Sequence, residues 1–321
     1  MSPSMAPPRP TVTFAGWMIA LLASTWVATV SRAGPLDRTV VVGVERHYLL
    51  VIPEKSDPKV PMPLVFVFHG AGNTSTNMQQ EIGITELARK KGFIAAFPDG
   101  IGKRWNGGVS DPDSLDSARS DDVAFVSAMI DRIGAEQRVD LRRVYATGSS
   151  NGAIFCYTLA CRLSDRIAAI APISGLLGEG VSSRFHPAQP LSLISFNGTD
   201  DPLLHFGGES RGGGGGLMSV NDSVAFWVRK DQCDPAPVVT QYPQSALDDG
   251  VTVIRIAYHG GTNGTAVEAF IIAHGGHTWP GHHTDPTWAK TAGKTAMSIS
   301  ANELMWAFFL EHPKPAGAAG G

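Results

Sequence analysis

Val144-Tyr145-Ala146-Thr147-Gly148-Ser149-Ser150-Asn151-Gly152 is the stretch on which the fold turns. Residues of β-forming type run straight into Gly148–Gly152, which fits G-x-S-x-G with Ser150 at its centre. Ala153–Arg162 follows without Gly or Pro and reads as a helix. Strand, tight turn and helix in that order are the setting in which G-x-S-x-G forms a nucleophile elbow. Such a turn is strained, and residues without a Cβ let strand and helix close around it. Ser150 would project above the sheet edge at a helix N-terminus, where backbone amides favour developing negative charge. A serine nucleophile still needs a base and an orienting acid, so the rest of the chain must supply them.

Outward from the elbow, buried strands alternate with helices. Pro63–Phe68, Phe93–Phe97, Ile167–Ala171 and Leu191–Phe196 are apolar runs of strand length. A helix is expected over Glu81–Lys91. Another is capped by Ser120-Asp121-Asp122 and carries Val123, Val126, Met129, Ile130 and Ile133 at helical spacing. Val220–Lys230 and Ala301–Leu310 read as later helices. Thr39–Val44 and His47–Ile52 read as an antiparallel pair, with Val251–Tyr258 and Val267–Ile272 as later strands. Repeated β-α units give an α/β class, an open, doubly wound, mostly parallel sheet. With the elbow in place, the expectation is an α/β-hydrolase fold in one domain over residues 34–312. The Gly212–Gly216 run reads as a flexible loop, and residues 313–321 as a disordered tail.

Residues 1–33 are of a different material. Thr11–Val30 is apolar and uncharged, and Ser31-Arg32-Ala33 offers small residues before a cleavage point. That pattern is a signal peptide, and it implies a secreted protein with no membrane contact after cleavage. The length of the apolar run keeps an uncleaved anchor as the alternative.

The chain has 321 residues, 43% hydrophobic and 17% charged, with a formal net charge of −3, as an ordinary globular protein does. No block of basic residues points to nucleic acid. The three cysteines, Cys156, Cys161 and Cys233, are too few for a disulfide scaffold. Cys156 and Cys161 diverge on one expected helix, whereas Cys161 with Cys233 is a geometrically open pairing. No CxxC or HExxH pattern occurs, so no metal or other cofactor is assigned.

Three further segments carry chemistry. His69-Gly70-Ala71-Gly72 ends the strand Pro63–Phe68, where hydrolases of this architecture take one oxyanion donor. The other donor is the amide after the nucleophile, so the expected pair is Ala71 and Asn151. Asn197-Gly198-Thr199-Asp200-Asp201-Pro202 follows a strand and offers Asp200 or Asp201 as the acid. His274-Gly275-Gly276-His277-Thr278-Trp279-Pro280-Gly281 comes last. The order Ser, Asp, His is the one used on this fold, but spacing does not choose among His274, His277, His282 and His283. Trp105, Trp279 and Trp288 are candidate aromatics at a substrate mouth, able to stack on a sugar or phenolic ring.

Together the Gly148–Gly152, Asn197–Pro202 and Gly275–Gly281 segments resemble the secreted poly(3-hydroxybutyrate) depolymerase-like esterases. That family overlaps the feruloyl and acetylxylan esterases of carbohydrate esterase family one. The resemblance implies Ser150 as nucleophile, Asp201 before Pro202 as acid, and His277 before Thr-Trp-Pro-Gly as base. It also places Trp105 near the substrate mouth. It implies a serine ester hydrolase working through an acyl-enzyme on an ester partner. That partner is either a hydroxyalkanoate or an aryl or acetyl ester of plant polysaccharide. A serine peptidase of the same fold is the competing enzyme class, and a non-catalytic binding module the third. No surface-binding domain follows Pro313, which argues against efficient attack on a crystalline polymer.

Overall fold

In strand Met62–Phe68 the residues Leu64, Phe66 and Phe68 fill one core cluster while Val65 and Val67 fill another. That two-residue period is what a strand buried on both faces requires. The computed structural model describes residues 35–42, 44–54, 59–109, 121–209, 216–244, 247 and 250–316. The expected signal peptide and most of the Gly212–Gly216 loop lie outside the described residues. From Gly34 onward the chain forms one compact unit.

The described strands are β1 (Leu36–Val42), β2 (Val44–Val51), β3 (Met62–Phe68), β4 (Ile94–Pro98) and β5 (Val139–Ser149). They continue with β6 (Ala169–Ile173), β7 (Ser192–Gly198), β8 (Val238–Gln241), β9 (Thr252–Tyr258) and β10 (Val267–Ala273). They make one sheet in the order β1-β2-β4-β3-β5-β6-β7-β10-β9-β8. The stretch from β4 to β10 is parallel, and β1, β2, β9 and β8 add antiparallel edges. The helices are α1 (Ser75–Glu81), α2 (Ile84–Lys91), α3 (Asp122–Glu136), α4 (Asn151–Arg162), α5 (Glu179–Arg184), α6 (Val220–Lys230), α7 (Pro286–Ala292) and α8 (Ala301–Glu311). Apolar residues of α3, α4 and α6 pack in the cluster with Phe66; those of α1, α2 and α8 pack in the cluster with Val65. The sheet is therefore covered on both faces, a doubly wound α/β-hydrolase fold.

After β4 the strand order reverses, and β5 returns to the other side of β3. A crevice opens at such a switch point, beyond the C-terminal strand ends. Phe68 and Gly148 are register partners there, so the loops leaving β3 and β5 start side by side.

Several expectations need correction. The helix expected over Glu81–Lys91 begins only at Ile84, after Gly83 with φ 65°, and α1 (Ser75–Glu81) ahead of it has no counterpart in the sequence reading. Strand β8 has no counterpart in the sequence reading; it is a four-residue edge strand, exposed throughout, and too short to show a strand's alternation. The tail is ordered at its start rather than disordered from residue 313. Lys314 is buried, its amide donates to the Arg142 carbonyl, and its ammonium donates to the Ser164 carbonyl. All three cysteines are buried and unbridged, so the open Cys161–Cys233 pairing is not formed.

Asp231 follows α6 and is fully buried. Its Oδ1 accepts from the Leu191 amide at 3.1 Å, while Oδ2 has no partner. Burial pushes its carboxyl up from 3.8 to about 7. A raised carboxyl pKa means that the folded state holds the proton more tightly than the unfolded one. Its cost is therefore absent at acid pH, grows as pH rises above the unfolded value, and is complete above about pH 7. Asp231→Asn keeps the acceptor for Leu191 and removes the charge. It should stabilise the protein by on the order of 2–4 kcal/mol at pH 8 and by little at pH 4. Urea unfolding at the two pH values checks this; an equal effect at both would contradict it.

Candidate active site

Ser150 sits at the N-cap of α4 with φ 56° and ψ −119°, a conformation that L-residues rarely adopt. Its amide donates to the Ile173 carbonyl at 3.0 Å, and its carbonyl accepts from Ile154 at the same distance. The strain is held by close backbone packing. A Cβ on Gly148 would lie 2.7 Å from the Phe68 carbonyl oxygen, and one on Gly152 only 2.3 Å from it. The glycines of the elbow thus bring α4 and β5 directly against the end of β3.

Gly70 lies beside the elbow, with its Cβ position 3.4 Å from that of Ser150. The Gly72 amide donates to the Lys103 carbonyl at 2.8 Å, and Asn73 closes a turn onto the Gly70 carbonyl at 3.1 Å. Ala71 is held between them and faces the same cleft as Ser150. The Asn151 amide opens α4, where N–H groups have no intrahelical partner. His69 is fully buried and organises this loop. Its Nε2 accepts from the Gly100 amide at 2.9 Å, so Nδ1 carries the proton and donates to the Gly70 carbonyl at 2.8 Å. Burial holds its pKa below the ordinary imidazole value, which keeps the ring neutral in this role.

Across the cleft, Asp201 is buried and fully engaged. Oδ1 accepts from the Leu203 and Leu204 amides at 2.8 and 2.9 Å, and Oδ2 accepts from His277 Nδ1 at 2.7 Å. With Nδ1 donating, His277 Nε2 is left with its lone pair. The His277 loop is tied down by backbone bonds to Ala292 and Lys294, just after α7. Close approach is again by glycine: a Cβ on Gly198 would lie 2.2 Å from the Gly275 carbonyl oxygen. Ser150 and His277 line one cleft, and among the described residues no hydrogen bond yet joins them. In substrate-free hydrolases that contact is commonly long.

The rival residues are elsewhere. Asp200 is exposed and pairs with the exposed His274 at 3.3 Å. His282 and His283 line the cleft, and among the described residues neither has an acid partner at hydrogen-bond distance. Ser149, the second hydroxyl of the elbow, also reaches the cleft.

Trp105 is not at the mouth. It is 3% exposed, stacks on Phe155 at 5.3 Å and meets Phe68 edge-on at 5.0 Å. Its indole donates to the His69 carbonyl at 3.0 Å, and its backbone exchanges two bonds with the Asn151 side chain, at 2.7 and 3.0 Å. Behind it, Asp122 accepts from the Asn106 amide at 2.7 Å and pairs with buried Arg46 at 2.5 Å. Trp105 therefore braces His69 and the Asn151 side chain from within the core. Trp279 and Trp288 do line the cleft.

The cleft encloses about 530 Å³. Met78, Ile82, Leu203, Trp279 and Trp288 give it an apolar wall, beside Glu81, His282, His283 and Asp285. Neither α1 nor α7 was marked by any motif. Among the described residues no acidic, histidine or cysteine cluster forms a metal site, and no helix is long and apolar enough to cross a membrane.

Residues 47–188 match the family described as esterase PHB depolymerase. The candidate esterase NocK of Nocardia uniformis subsp. tsuyamanensis is 28% identical over 283 residues, 84% of this chain and 81% of that protein. Feruloyl esterase C of Emericella nidulans is 27% identical over 238 residues, 72% of this chain and 76% of that one. Among solved structures, an acetyl xylan esterase from Aspergillus awamori superposes with a TM-score of 0.61 at 14% identity, over 86% of this chain and 99% of its own. That level of identity speaks for the fold alone.

Proposed function

We propose that Ser150, His277 and Asp201 are the catalytic triad of this serine ester hydrolase, whose residues 47–188 match the family described as esterase PHB depolymerase. The observation that carries this reading is the Asp201–His277 bond of 2.7 Å, with both partners buried, in the cleft that Ser150 faces. His277 Nε2 takes the proton as Ser150 Oγ attacks the ester carbonyl. Ala71 and Asn151 amides hold the oxyanion, and His277 returns the proton to the leaving alcohol. Water then repeats the sequence on the acyl-enzyme, releasing the acid. Asp201 holds the tautomer and stabilises the imidazolium.

On substrate, the proposal is a soluble ester with a compact acyl or aryl group, in a secreted protein exported by residues 1–33. The apolar wall of Met78, Ile82, Trp279 and Trp288 supports an aryl acyl group of the feruloyl kind over a long flexible chain. The 3-hydroxybutyrate ester remains the second reading, on the strength of the family match.

Two measurements test the proposal. A fluorophosphonate should phosphonylate one serine, mapped by peptide mass spectrometry to Ser150 and not to the adjacent Ser149. A label on Ser149, or none, would sink the triad. Side-by-side hydrolysis of methyl ferulate, 3-hydroxybutyrate oligomers and acetylated xylan decides the substrate; the aryl reading fails if methyl ferulate is the poorest of the three.

A further inference from the structure

Asn302, near the start of α8, is buried and bonds to three residues that line the cleft. Its Oδ1 accepts from the Trp279 indole at 2.9 Å. Its Nδ2 donates to the Ile82 carbonyl at 2.6 Å and meets His282 Nε2 at 2.8 Å. The chemistry of the partners fixes every role. An indole N–H only donates and a carbonyl only accepts, so the amide cannot be reversed. Its N–H₂ must then face His282, whose Nε2 accepts while Nδ1 carries the proton. Ile82 follows α1 whereas Trp279 and His282 share one loop, and all three line the cleft. Little room exists for the ring to move away: a Cβ on Gly83 would lie 2.8 Å from His282 Cε1.

We propose that Asn302 is a positioning residue for ester binding, whose amide locks Trp279, His282 and the Ile82 carbonyl into one cleft wall, and that the lock holds only while His282 is neutral. A protonated His282 would turn Nε2 into a donor facing a donor. Relief by flipping the amide would break the bonds to Trp279 and Ile82 together. Burial, and then His283, hold the His282 pKa below the ordinary imidazole value. Glu81 and Asp285 are the carboxylates that line the same cleft. The wall thus stays set at neutral pH and loosens in acid.

The inference rests on the cleft being the ester site, so Ser150→Ala is run alongside. The test uses the full chain with p-nitrophenyl butyrate at pH 8, together with melting curves. Asn302→Leu keeps the size and removes all three bonds. It should raise KM about tenfold and leave kcat within about twofold, the sign of lost binding order rather than lost chemistry. Asn302→Asp keeps an acceptor for Trp279 but presents an acceptor to His282. The His282 titration, followed by imidazole nitrogen NMR, should then move up by about one unit or more. A purely structural Asn302 would lower the melting temperature of Asn302→Leu and leave its KM unmoved. A folded Asn302→Leu protein with unchanged KM overturns the proposal. An unmoved His282 titration in Asn302→Asp does so as well, and decides the matter if Asn302→Leu does not fold. Activity surviving in Ser150→Ala instead overturns the reading of the cleft itself.

Discussion

Asp201→Asn is expected to lower kcat about 10⁴-fold while the protein stays folded. The reason lies in how the carboxylate is divided. Oδ1 is committed to the amides of Leu203 and Leu204, so an asparagine must put its oxygen there. Its N–H₂ then faces His277 Nδ1, which today donates to Oδ2 at 2.7 Å. The ring can satisfy that donor only by moving its proton to Nε2, and Nε2–H cannot accept a proton from Ser150. Asp200→Asn is the matched control. Asp200 is exposed and its partner is His274, so activity should stay within about threefold of wild type, as surface changes usually allow. Steady-state kinetics on p-nitrophenyl acetate with circular dichroism of both variants checks the pair. Comparable losses in the two would refute the assignment of the acid.

Gly152→Ala is expected to cost on the order of 4–5 kcal/mol or more and to take most of the activity with it. The added Cβ would come 2.3 Å from the Phe68 carbonyl oxygen and 2.7 Å from that of His69. Both obstacles are backbone, so no side chain can turn aside. Helix α4 must back away from β3, carrying Ser150 and the Asn151 amide with it. Thermal melts and kinetics are the measurement. A melting temperature within about two degrees of wild type would refute the direct contact of α4 with the end of β3.

What the sequence made legible was whatever is local. The apolar runs of β3 to β7 and the elbow follow from residue order and period alone, and the sheet was readable from them. Contacts made across the fold were not. Spacing left Asp200 and Asp201 equal, because the difference lies in the Leu203 and Leu204 amides and in a histidine from another loop. Trp105 could not be placed, since the rings that enclose it come from β3 and α4. Asn302 belongs to no motif; its importance comes from three partners that only the folded chain brings together. The tail after His312 misled through composition, with a single lysine outweighing its Pro, Gly and Ala neighbours.

The three unbridged cysteines have a consequence of another kind. Burial pushes the thiols up, to about 12 for Cys161 and about 11 for Cys233, and well above the ordinary value for Cys156. Thiolate is the reactive form of sulfur, so these side chains are inert towards disulfide exchange while the protein is folded. No covalent bond of the fold is therefore linked to redox potential. Folding therefore needs no oxidant, and no disulfide-isomerase step stands between synthesis and the folded enzyme.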